Sequence, residues 1–107
     1  GRLAATQITA QNTNTQIYQV PLGKISTFTI NIVNIDTANA TIRISLQAGT
    51  SVANGEYIEY DQVIYPNDCY TRSGVVLDSQ KYLYVNVTGD ASPNVNVVVW
   101  GFEEDNA

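Results

Sequence analysis

Histidine and methionine are absent from this sequence, cysteine appears once, and five basic residues stand against ten acidic ones. Without histidine the commonest general base is missing, so neither a Ser-His-Asp nor a Cys-His arrangement can be assembled. Structural zinc wants four Cys or His ligands, and this chain offers only Cys69. A single cysteine also excludes an internal disulfide, which fits assembly in a reducing cytoplasm. With no activating partner near it in the sequence, Cys69 reads as a small buried hydrophobe. No glycine-rich phosphate loop of the Walker or dinucleotide type occurs. The expectation is a protein that is not an enzyme and needs no cofactor.

The net charge of −5 argues against nucleic acid, because binding a phosphate backbone depends on Lys and Arg displacing counterions. An anionic membrane surface is disfavoured for the same reason. No apolar run approaches the ~20 residues of a membrane span, and "GRLAATQ" lacks a basic segment followed by an apolar one. The expectation is a water-soluble chain. Its start at Gly1 fits either removal of an initiator methionine or trimming of a longer precursor.

What is present is β material: threonine, valine, isoleucine and tyrosine dominate, and no segment holds apolar residues at helical spacing over three turns. In residues 24–34, Phe28, Ile30 and Ile32 alternate with Thr27, Thr29 and Asn31. Residues 40–47 repeat the pattern with Ile42, Ile44 and Leu46, and the short polar link 34–39 predicts an antiparallel hairpin between the two. Further strands are predicted over 57–65, 69–77, 82–88 and 95–102, with weaker ones over 3–10 and 15–21. About eight closely spaced strands with polar turns define an all-β fold, an antiparallel β-sandwich of jelly-roll-like type. An immunoglobulin-like sandwich is the alternative, although the Cys…Trp…Cys spacing is missing. Length and the lack of repeats or linkers predict a single domain, 1–107.

The densest chemistry lies in "GEYIEYD" (55–61), with three carboxylates and two tyrosines in seven positions. A carboxylate-rich loop could offer oxygens to Ca²⁺. Strand alternation instead sends Tyr57, Glu59 and Asp61 to one face and Glu56, Ile58 and Tyr60 to the other. On this reading Ile58, Tyr60 and Ile64 line the core, while Glu59 and Asp61 form an exposed pair beside Tyr57, suited to a partner protein. Tyrosines and Trp100 supply rigid amphipathic contact area for an interface or a sugar ring. The terminal "EEDNA" (103–107) reads as a solvated acidic tail. The sequons "NAT" (39–41) and "NVT" (86–88) are short enough to arise by chance in a chain rich in Asn and Thr, and receive no role.

The order of features over 55–104 resembles small β-sandwich virion proteins of tailed bacteriophages, including those of cyanophages. These features are an "EYIEY" strand, a polar turn, an apolar strand ending near Leu77, "YLYV", and alternating valines closing on "WGFEE". "GKISTFTINIVNIDTANATIRISL" (23–46) resembles the segment with which such proteins open their sandwich. The resemblance implies a head decoration (cement) protein that binds the capsid exterior, bridges capsomers and contacts the major capsid protein. It also implies a homotrimer assembled in the host cytoplasm. An extended arm often clamps the shell in such proteins, and 1–16 is the candidate arm here, with Leu3 and Ile8 as its candidate contacts. The alternative reading is a carbohydrate- or receptor-binding module of a tail, fibre or adhesin.

Overall fold

The computed structural model describes residues 1–89 and 91–106. Eight strands follow in chain order: β1 (Arg2–Ile8), β2 (Thr15–Gln19), β3 (Lys24–Asn34), β4 (Ala40–Gln47), β5 (Tyr57–Ile64), β6 (Cys69–Leu77), β7 (Tyr82–Thr88) and β8 (Val95–Asp105). A single 3-10 turn, Asn54–Glu56, precedes β5. The strands form two four-stranded antiparallel sheets of order β1-β8-β3-β6 and β2-β7-β4-β5.

That order follows from one long antiparallel ribbon rolled onto itself. β1 lies beside β8, β2 beside β7, β3 beside β6 and β4 beside β5, and the contacts β3–β8 and β4–β7 close each sheet. The sandwich is therefore jelly-roll-like, and the immunoglobulin-like alternative, with its different strand order, is set aside.

Within each strand the alternation sets which side chains are buried. Ile30, Ile32, Ile42, Ile44, Leu83, Val85, Val87, Val95, Val97 and Val99 meet between the sheets. The short polar side chains Thr27, Thr29 and Asn31 stay on the outer surface of β3.

The expected hairpin between 24–34 and 40–47 does not form, because β3 and β4 belong to different sheets. The alternation gives both strands an apolar face, and each face buries against the opposite sheet rather than beside its neighbour in sequence. Sheets stack about 10 Å apart, and the five-residue link 35–39 is long enough to cross that gap. Asn34 holds the crossing. Its buried Nδ2 donates to the carbonyls of Ala38 and Ile64, both at 2.9 Å, and its Oδ1 accepts the Asp36 amide at 3.0 Å. Its backbone also bonds Asp68 and Asn67, tying in the β5–β6 crossing.

Residues 1–16 are not a free arm. β1 pairs with β8 from Arg2 to Ile8, and Ile8 is only 2% exposed, within the core. Leu3 packs partly against that core. The acidic end is not a free tail either, since Glu103, Glu104 and Asp105 continue β8, and Asp105 pairs with Lys24. Ala107 of that predicted segment lies outside the described residues.

Polar groups join the sheets at both flanks. At one, the Tyr18 hydroxyl of β2 meets Ser26 of β3 and donates to Glu103 of β8, while its ring packs edge-on against Phe28 at 5.8 Å. Burial, then the bond to Glu103, pushes the Tyr18 phenol from 10.0 up to about 12. The unfolded chain gives up this proton near pH 10 and the folded chain only near 12, so in between the unfolded state binds fewer protons. The contribution is complete below pH 10 and is lost as pH rises toward 12. Urea unfolding should show a loss of about 2–3 kcal/mol across this interval, and Tyr18→Phe should flatten the slope. An unchanged slope would show that the Tyr18 phenol does not set this pH dependence.

Candidate functional site

β5 begins at a pinned turn. The Glu56 carboxylate accepts the backbone amides of Ala53 and Ala48, both at 2.9 Å, and these bonds hold its carboxyl below the usual range. Beyond the turn, simple alternation fails twice. Ser45 pairs with Tyr57 and Ile44 with Glu59, which leaves Ile58 as an extra residue, and Ile42 pairs with Gln62, so Tyr60 and Asp61 together oppose Arg43. These are β-bulges, and Asp61 sits at φ +57°, a left-handed conformation that Asp tolerates better than most residues.

The bulges redistribute the predicted faces. Tyr57, Tyr60 and Asp61 lie on the outer surface, while Ile58 and Glu59 turn toward the seam between the sheets. Tyr60 is 56% exposed rather than part of the core, whereas Ile58 and Ile64 pack as expected. Glu59 and Asp61 therefore do not form a pair. Glu59 accepts the Tyr70 hydroxyl at 2.7 Å and pairs with Arg72 at 3.3 Å, which ties β5 to β6 at the second flank. Arg72 also donates to the Ile58 carbonyl at 2.9 Å. Burial and the bond to Glu59 raise the Tyr70 phenol.

Asp61 accepts the Arg43 Nε at 2.7 Å, and the Arg43 guanidinium lies 4.0 Å above the Tyr60 ring. Tyr57 meets Tyr60 edge to face, with centroids 5.0 Å apart and planes at 80°. Asn54, Tyr57 and Tyr60 line a shallow recess of about 390 Å³. With each carboxylate already committed to a protein partner, the stretch offers no shared oxygen cage for Ca²⁺. Among the described residues, no group of three or more His, Cys, Asp or Glu side chains gathers.

A second outer surface carries a different chemistry. In the β1-β8-β3-β6 sheet, Thr27 is flanked in register by Phe102 and Val76, Thr29 by Trp100, and Asn31 by Val98. Trp100 and Phe102 are 51% and 53% exposed, and Val76 is exposed as well. The sequence marks this band, because burying Val95, Val97 and Val99 directs Trp100 and Phe102 outward. Cys69, at the start of β6, is exposed rather than buried. It stands opposite Val33 beyond the end of the apolar band.

Fold and surface together define an eight-stranded antiparallel sandwich with one outer face that mixes exposed Val76, Trp100 and Phe102 with threonine and asparagine, and another that carries tyrosines with an Arg–Asp pair. No protein-family model and no curated protein sequence matches the chain. Solved structures share its fold. A chain in the acidic stable capsid structure of Helicobacter pylori bacteriophage KHP30 aligns over 95% of this chain and 90% of its own, with TM-score 0.54 and 12% identity. A chain from the disulfide-linked pili of Bacillus endospore appendages aligns over 96% and 84%, with TM-score 0.56 and 14% identity. PirA aligns over 92% and 94%, with TM-score 0.51 and 15% identity.

Proposed function

We propose that this chain is a structural protein of a phage particle, a head decoration protein that lies on the capsid exterior and bridges capsomers through the major capsid protein. The observation that carries this reading is the exposed Val76, Trp100 and Phe102, with half-buried Val98 in line with them, on one sheet face. Antiparallel sheets usually turn a polar face to water, and exposed large aromatic side chains grouped on one such face are enriched at interaction surfaces. Here Thr27 stands between Phe102 and Val76 and Thr29 beside Trp100, so short polar side chains are interleaved with the apolar contact area and can hydrogen-bond a partner. The likeness to a capsid-structure chain of similar length is consistent with this role. Particle symmetry repeats the contact many times, so modest affinity at each position is enough. The role needs no catalytic group.

Co-sedimentation with shells of its own particle stripped of the protein tests the reading. The wild-type chain should bind stoichiometrically and raise shell stability. A Trp100→Ser/Phe102→Ser variant should bind at least about 30-fold more weakly, the loss expected from removing an aromatic anchor. Absence of wild-type binding, or undiminished binding by the variant, would refute the proposal.

A further inference from the structure

We propose that the recess formed by Asn54, Tyr57 and Tyr60 is a binding site for a neutral saccharide. The inference rests on the geometry of the β2-β7-β4-β5 sheet and does not depend on the particle role, which uses the opposite face.

The two phenol rings stand at 80°, centroids 5.0 Å apart, and so make a corner rather than a flat patch. A pyranose has one face of C–H bonds carrying partial positive charge, which stacks on the negative face of an aromatic ring. Its equatorial hydroxyls need donors and acceptors around that ring. The Asn54 amide and the phenol hydroxyls offer both at the recess.

The charges in the corner narrow the ligand class. Arg43 already covers one face of the Tyr60 ring at 4.0 Å, so a full positive charge is disfavoured in the corner and the sugar's C–H face stacks on Tyr57, with Tyr60 forming the adjoining wall. Asp61 neutralises Arg43 at 2.7 Å, which removes the pull on an acidic sugar. A purely apolar ligand would strand the polar groups of the recess. The recess, at about 390 Å³, lies at the small end of the range of ligand clefts and suits a short saccharide.

The corner is also held in place before any ligand arrives. Glu56 pins the turn carrying Asn54 through the Ala48 and Ala53 amides. The bulge at Asp61 turns Tyr60 outward beside Tyr57. A preset site loses less entropy on binding than one that must be ordered.

Saturation-transfer NMR on the full chain, with maltotriose, cellotriose and chitotriose as neutral probes and sialyllactose as the acidic one, tests the proposal. At least one neutral trisaccharide should receive saturation on its ring C–H protons, with amide shifts centred on residues 54–60. Tyr57→Ala and Tyr60→Ala should each weaken binding by at least about tenfold. Tyr65→Ala, an exposed tyrosine just beyond the end of β5, should leave binding unchanged. The wild-type shift map requires no variant to fold. The proposal fails if no neutral probe responds at about 10 mM, well above a millimolar affinity. Shifts that fall elsewhere, a response confined to sialyllactose, or full binding by both alanine variants would equally overturn it.

Discussion

Gly101→Ala should destabilise the protein by about 3 kcal/mol or more, at or above the top of the usual range for overpacking. Gly101 pairs with Phe28 within the β3–β8 ladder. A Cβ at this position would lie 2.1 Å from the Thr27 carbonyl oxygen and 2.7 Å from the Phe28 Cα. Both obstacles are backbone, so relief requires the β3–β8 ladder to move. That ladder carries buried Phe28, whose ring packs on Tyr18, and Tyr18 in turn links the two sheets. Domains of this size have only about 5–15 kcal/mol of stability in total, so the urea midpoint should fall sharply. A change below about 0.5 kcal/mol, typical of an innocuous surface substitution, would mean that the close strand approach is absent.

Asn34→Ala should cost about 2–4 kcal/mol, for a different reason. No steric clash arises. Instead the buried carbonyl of Ile64, the part-buried carbonyl of Ala38 and the part-buried Asp36 amide lose their hydrogen bonds to the Asn34 side chain. Each stranded buried group costs about 1–3 kcal/mol, partly offset where water reaches it. Hydrogen exchange should show the loss locally, in the links 35–39 and 65–68, before the central strands respond. Uniform exchange across the molecule, or an unchanged urea midpoint, would show that Asn34 does not hold the two crossings.

The sequence made the strands legible and their partners much less so. Alternation is a local property, and burial of Phe28, Ile30 and Ile32 needs only that something apolar lies opposite. It located all eight strands, from 24–34 to the valines of 95–99. It could not tell whether β4 would lie beside β3 or across from it, because a short polar link serves a hairpin and a sheet crossing equally well.

The same limit applied to the site. A strict period of two placed Glu59 and Asp61 together, and two bulges separated them. Asp at φ +57° leaves no mark in the sequence comparable to a glycine. Glu59 became part of the seam with Tyr70 and Arg72, and Tyr60 moved to the surface. Residues 2–8 were extended as predicted for an arm, yet Ile8 is buried by pairing with β8, a contact between opposite ends of the chain.

The proposed role makes the Trp100 and Phe102 face of the sandwich an assembly surface on a phage head. An electron cryo-microscopy reconstruction of the intact particle tests it most directly. Density for this sandwich should lie on the shell exterior, with Trp100 and Phe102 against the major capsid protein. A head with no such density, or a sandwich bound with that face open to solvent, would contradict it.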